Sequence, residues 1–300
     1  MKDPSSMPHS SFAKQHSMSY WHKQGEKALF PDLLWARPEV KSAAGKLLIV
    51  GGHAQSFAAA AEAYASAERA GIGTVRVLLP DCLEKTVGRL FPAAEFAPSN
   101  PSGGFAMRAL AEVLAAGQWA DGVLLAGDLG RNSETYAMLE NFASKYGGQL
   151  TITKDAADFF CTQPQSLLGR TLRHSERSEE SSLLSDNPSQ RSFASAQDDK
   201  NQTVLVLSLG QLQKLGKSLH LPYAFTSDLG LMQLVELLHD CTTAYPNLHI
   251  LTRHHDHYVV AVKGNIATSA IPGEKPIWRV TAAASAATWW LQTPQNPLKP

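Results

Sequence analysis

A set of short apolar runs constrains the fold of this chain more than any other feature. They are KLLIV at 46–50, TVRVLLP at 74–80, the core of DGVLLAGD at 121–128, QLTIT at 149–153 and TVLVLSL at 203–209. Each is apolar along most of its length rather than at every second position. A strand buried on both faces reads this way, whereas a strand with one wet face alternates. Between these runs lie segments of helical period: SFAAAAEAYASAERAG, FAMRALAEVLAAG and SETYAMLENFASKYGG. Ser56 and Ser133 are placed to cap two of them, and Gly71 and Gly147-Gly148 to end them. PDCLEKTVGRLF reads as helical, and FTSDLGLMQLVELLHDCTTAY reads as an amphipathic helix from near Ser227. LHILTRH and HYVVAVKGN read as strands, and a helix of small residues leads to Trp289-Trp290, which we expect to close the hydrophobic domain.

Strands that alternate with helices predict an α/β fold in three layers, α/β/α, around a mostly parallel central sheet. Composition suits such a core: 300 residues, 44% hydrophobic and 18% charged. Net charge is zero by count, so no global field draws nucleic acid or an anionic membrane. No apolar run is long enough for a transmembrane helix, and the N-terminal residues lack the apolar centre of a signal peptide. The cysteines, Cys82, Cys161 and Cys241, are far apart and odd in number, which points to a reducing, cytoplasmic setting. Residues 1–25 read as a disordered lead and 293–300 as a Pro-rich tail. Residues 164–201, rich in Ser, Glu, Arg, Gln and Asp, read as a low-complexity disordered insert. One domain then remains, over 26–163 and 202–292.

In open parallel sheets, ligands lie beyond the carboxyl ends of the strands. The segments to read for chemistry are therefore Gly51–Ser56, Gly127–Arg131, Lys154–Asp155 and Ser208–Gln211. Gly51, Gly52 and His53 are either a loop that faces a phosphate or a compact strand-to-helix turn. Gly127, Gly130 and Arg131 are either a residual anion site or a turn leading to a cap at Asn132 or Ser133. Lys154, Asp155 and Asp158 are either a remnant polar site or solvated loop residues. The run Arg253-His254-His255-Asp256-His257 would put His255 and His257 on one face if extended. No separated ligands complement it, so no metal site is assigned.

As an ordered set, Arg37-Pro38-Glu39, Lys41, GKLLIVGG with its Ala-rich helix, AGIGTVRVLLP and DGVLLAGDLGR resemble the ADP-dependent NAD(P)H-hydrate dehydratases. These belong to the ribokinase-like, carbohydrate-kinase-related superfamily. The resemblance is clearest over 36–160 and can be followed to about residue 290. It implies a ribokinase-like fold, a hydro-lyase or related kinase activity, ADP or ATP as cofactor with magnesium entering only with nucleotide, and homo-oligomers. It also implies nucleotide contacts at Gly51, Gly52, His53, Gly127, Gly130, Arg131, Ser208, Gln211, Thr281 and Ser285.

Several positions depart from the family pattern. Ala126, Gly127 and Asp128 stand where the family has Gly-Pro-Gly, and Asp128 would repel a phosphate. Ala58 replaces the glycine before the first helix, and Thr153-Lys154-Asp155 replaces an Asp-Ala-Asp strand end. Ser208, Leu209, Gly210 and Gln211 replace Thr-Pro-His…Glu. Thr281–Ala287 aligns with the Gly-x-Gly-Asp turn at the start of a late helix, which places Ala286 where the family has its catalytic Asp. Alanine cannot transfer a proton. No catalytic residue is therefore assigned, with Asp121, Asp128, Asp155 and Asp228 as carboxylates that could stand in. The expectation is a pseudoenzyme with at most residual nucleotide binding; the alternatives are an active divergent enzyme and a non-catalytic interaction or oligomeric scaffold.

Overall fold

The structure is a computed structural model that describes residues 19–26, 29–31, 37–89, 91–170, 202–271 and 278–293. Its strands are β1 (Trp21–Lys23), β2 (Lys46–Gly51), β3 (Thr74–Pro80), β4 (Ala94–Ala97), β5 (Gly122–Gly127), β6 (Gln149–Thr153), β7 (Thr203–Leu207), β8 (Leu248–His254), β9 (His257–Val262) and β10 (Asn265–Ala270). Its helices are α1 (Ala58–Ala70), α2 (Glu84–Val87), α3 (Leu110–Trp119), α4 (Ser133–Lys145), α5 (Lys154–Thr162), α6 (Leu209–Ser218), α7 (Leu231–Ala244) and α8 (Trp278–Gln292). All the strands join one sheet in the order β1-β10-β9-β8-β7-β6-β5-β2-β3-β4. The pairings are parallel except those of β9 with β8 and β10.

The apolar runs are buried on both faces, as their composition requires. Leu48 and Val50 of β2 join a core with Val113 of α3, Met138 and Phe142 of α4, and Phe160 of α5. Their neighbours Leu47 and Ile49 join a second core on the opposite face, with Ala59, Ala60, Ala63 and Ala67 of α1 and Ala283, Ala284, Ala286 and Ala287 of α8. The layers are therefore α3, α4, α5, α6 and α7 over one face, and α1 packed against α8 over the other.

The chain leaves β2 for β3 and β4, then returns to the other side of β2 for β5 and continues through β6, β7 and β8. The strand order thus reverses between β2 and β5. At their carboxyl ends the two strands stay paired, Gly51 opposite Gly127, and the loops that follow lie where sheets of this kind hold ligands.

Several expectations change. Part of the N-terminal lead is ordered: β1 pairs with β10, because Tyr20 and Trp21 pack on the core edge. Residues 165–170, assigned to the insert by composition, are helical; Leu167 and Arg170 are buried there. Arg170 donates to the Ala143 carbonyl (3.1 Å) and the Gly148 carbonyl (2.6 Å), which ties this stretch to the end of α4. Residues 171–201 and 294–300 of the proposed insert and tail lie outside the described residues. The segment after Pro80 forms only a 3-10 turn, Asp81–Leu83, and the single turn α2. The helix expected from Ser227 begins at Leu231, where the Gly230 N–H donates to Gln233 Oε1. His255 and Asp256 form the turn between β8 and β9, so His254 pairs with His257 and the histidines do not share an extended face. Trp290 is buried in the core beneath α8.

Candidate functional site at the strand-order reversal

β2 ends in Gly51, whose backbone lies so close to β5 that a Cβ there would stand 2.7 Å from the Gly127 carbonyl oxygen. The Gly52 N–H donates to that same oxygen at 3.1 Å. Gly52 (φ +95°) and Gly127 (φ +103°) take backbone conformations that favour glycine. The two strand ends are therefore clamped together, and the loops after them diverge.

After Gly52, His53 and Ser56 exchange backbone hydrogen bonds of 2.8 and 2.9 Å, which makes a tight loop into α1. The His53 ring lies against Gly130, where a Cβ would stand 2.6 Å from its Cδ2. After Gly127, Asp128 is left-handed (φ +57°), a conformation Asp tolerates better than most residues. That turns its carboxylate to the N-terminus of α1. Oδ2 accepts from the Ala59 N–H and the Ser56 hydroxyl, each at 2.8 Å, and Oδ1 accepts from Lys154 Nζ at 2.5 Å. Burial alone would raise the Asp128 carboxyl; Lys154, Ala59 and Ser56 outweigh it and hold the group below its ordinary value. Asp128, not Ser56, therefore caps α1, and an internal carboxylate fills the helix end that could have faced an anion.

Lys154 opens α5, also left-handed (φ +53°). Asp155 turns inward: Oδ2 accepts from the Leu129 N–H at 2.7 Å and Oδ1 from the Ala156 N–H at 3.1 Å. Burial pushes its carboxyl up in spite of those donors. Gly130 (φ +77°) gives its carbonyl to the Tyr136 hydroxyl at 2.7 Å, and Asn132 caps α4 through the Glu134 N–H. Arg131 is exposed on this turn.

Ser208 and Gln211 begin α6 as a reciprocal cap, each side chain bonding the other's backbone N–H. Gln211 is buried and also donates to the Lys154 carbonyl at 2.7 Å. Its Oε1 accepts from Arg279 Nη1 at 3.1 Å. Arg279 is half-buried in the first turn of α8, and Gln211 is its hydrogen-bond partner among the described residues.

The segment Thr281–Ala287 is placed differently from its alignment. α8 is already helical at Trp278, so this segment lies within the helix instead of at its start. Ala286 is buried on the core face, Thr281 donates to Glu62 Oε1 at 3.3 Å, and Ser285 is half-buried further along α8. Its backbone N–H groups are engaged in the helix and offer no anion hole. Residues 272–277, which precede α8, lie outside the described residues.

The structure thus brings Gly51, Gly52, His53, Gly127, Gly130, Lys154 and Asp155 into one cluster at the carboxyl ends of β2, β5 and β6. Ser208 and Gln211 stand beside it over β7, and Thr281 and Ser285 lie on α8. Sequence reasoning missed Arg279, and for Asp128 it saw repulsion of a phosphate and a carboxylate that could stand in for the acid, not the cap. The Ser208-x-x-Gln211 spacing was a legible capping signal for α6. Among the described residues no group of three or more His, Cys, Asp and Glu side chains converges as metal ligands. Nor is any described helix long and apolar enough to cross a membrane.

No family model and no curated protein matches the chain. Solved structures do. One is a ribokinase-like superfamily protein from Enterococcus faecalis, with 16% identity and a TM-score of 0.61 over 93% of this chain and 84% of that one. The fold is ribokinase-like. Another structure of this fold is the ADP/ATP-dependent NAD(P)H-hydrate dehydratase from Bacillus subtilis, co-crystallised with ATP and Mg2+. It shares 10% identity, with a TM-score of 0.52 over 87% of this chain and 78% of that one.

Proposed function

We propose that this protein is a catalytically degenerate ribokinase-like protein that retains at most adenine-nucleotide binding. The observation that carries the reading is the Asp128 carboxylate, tied to Ser56, Ala59 and Lys154 at the end of α1. A phosphate placed there would meet a fixed negative charge and would compete for donors already used. Repulsion between two such charges a few ångströms apart costs on the order of a kcal/mol or more when partly desolvated. The end of α1 therefore does not fit a phosphate, and no reaction step is assigned to it.

Nucleotide contact is assigned instead to Arg279 on α8, whose guanidinium is held beside Ser208 by Gln211 of α6. A half-buried guanidinium whose partner is a neutral amide keeps its capacity for phosphate charge. Magnesium would enter only with the nucleotide. Asp155 is not assigned as the acid or base, since both its oxygens already hold backbone N–H groups.

The test is direct. Purified protein with hydrated NADH and ADP, or ATP and magnesium, should give no turnover above the protein-free rate; ADP-dependent repair would overturn the reading. In calorimetry, ADP should bind the unsubstituted chain, and Arg279→Ala should weaken binding roughly tenfold, the loss of one charge-assisted contact. Absence of heat with the unsubstituted chain would assign the protein to the alternative, a scaffold that works through its surfaces.

A further inference from the structure

At one end of the sheet, β10 would be an open edge without the N-terminal strand. Its sequence, Asn265–Ala270 or NIATSA, has no charged residue and no proline. Edge strands are commonly protected by such residues, because a bare row of N–H and C=O groups templates pairing with another chain. Here the protection is β1. The Ile266 N–H donates to the Tyr20 carbonyl and the Gln24 N–H to the Thr268 carbonyl, both at 2.8 Å. Trp21 Nε1 donates to Thr268 Oγ1 at 3.0 Å, and the Tyr20 ring stacks on His239 at 3.7 Å. The exposed Lys23 ends this three-residue strand.

We propose that β1 is a removable strap and that the surface beneath it is a self-association edge whose partner is a second copy of this chain. With the strap withdrawn, β10 of one copy would pair antiparallel with β10 of another about a two-fold axis and extend the sheet across both molecules. The absence of charge on β10 allows it to lie against itself without like-charge repulsion. The tether allows the strap to leave. From Lys23 to β2 it must cross seven strand spacings, about 34 Å at the usual separation. Its length from Lys23 to Lys46 reaches about 75 Å when extended. Releasing β1 therefore puts no strain on β2.

The experiment measures the mass of the full-length chain by light scattering over a concentration series. Two strap-releasing variants are compared with the unsubstituted chain, and thermal melting confirms that each is folded. Tyr20→Ala with Trp21→Ala removes the aromatic anchors, and Gln24→Pro removes one backbone donor without touching the core. The expected result is a mass that doubles with concentration in the released variants. It should return to the mass of the unsubstituted chain when Thr268→Pro is added to block the edge. Released variants that keep the mass of the unsubstituted chain overturn the proposal, as does a dimer that survives Thr268→Pro. Neither outcome depends on nucleotide binding.

Discussion

Asp128 does two jobs with one carboxylate: it caps α1 and it neutralises Lys154. Removing it with Asp128→Ala leaves the Ala59 N–H uncapped, Lys154 unpaired and a Cβ without a local acceptor at φ +57°. We expect a loss of about 1–2 kcal/mol in urea denaturation, with Asp128→Asn costing less because it retains an acceptor and tolerates the left-handed conformation. The pH dependence follows from the direction of the shift. The folded carboxyl lies below its ordinary value, so its contribution is complete above the unfolded pKa, near ~4, and is lost as pH falls through the lower folded value.

His249 also loses its contribution as pH falls, but beginning at a higher pH. It is fully buried in β8, and neither ring nitrogen has a hydrogen-bond partner among the described residues. Burial lowers its pKa to about 3, with the Lys263 charge adding to the effect. The unfolded chain takes up the proton near ~6.5, so stability is complete above that value and falls as pH drops toward 3. His249→Leu should remove this dependence; urea midpoints at pH 7 and pH 5 should lie closer together in the variant than in the parent. An equal or wider gap would show that His249 does not drive the acid loss.

Among the elements, α8 shows most clearly how an alignment and a structure can disagree. Its alanines face those of α1, so the two helices are matched by small side chains over a shared core. Ala286 lies on that face, and it is not in the cluster at the strand ends. Putting the aligned acid back with Ala286→Asp should therefore not restore activity. It should cost about 3 kcal/mol or more by burying an unpaired charge, read as a fall in the urea midpoint. A variant as stable as the parent would mean that the α1–α8 contact is looser than described. The degenerate reading consequently rests on Asp128 and not on Ala286. α5 and α6 were hidden for a different reason: each starts directly at a strand end, so only Lys154–Asp155 and Ser208–Gln211 were singled out, as strand-end segments, and no helix was assigned there.

Across the whole molecule, both ends of the segment 171–201 lie at the pole opposite the strand-end cluster. Arg170 is held by the carbonyls of Ala143 and Gly148, just before β6, and the Gln202 carbonyl accepts from the Leu150 N–H at the start of β6. Replacing 172–200 by a short Gly/Ser linker should leave the melting temperature nearly unchanged, since closing a long flexible loop adds little to a domain's stability. Arg170→Ala should lower it clearly, because the buried carbonyls of Ala143 and Gly148 lose their donor. A collapse in stability on the linker replacement would show that the replaced segment is packed.

The sequence by itself determined the class of fold, because runs that are apolar throughout can only be strands covered on both faces, and these alternate with helices. It also determined which strand ends to inspect, since ligands of parallel sheets lie beyond the carboxyl ends of the strands, where glycines follow KLLIV and VLLA. Only the tertiary structure decided what those ends hold. The carboxylate at α1 comes from residue 128, and the partner of Arg279 comes from residue 211. The strap on β10 comes from the far N-terminus. Contacts so distant along the chain leave no periodicity in the sequence, because they depend on how the sheet brings separate segments together.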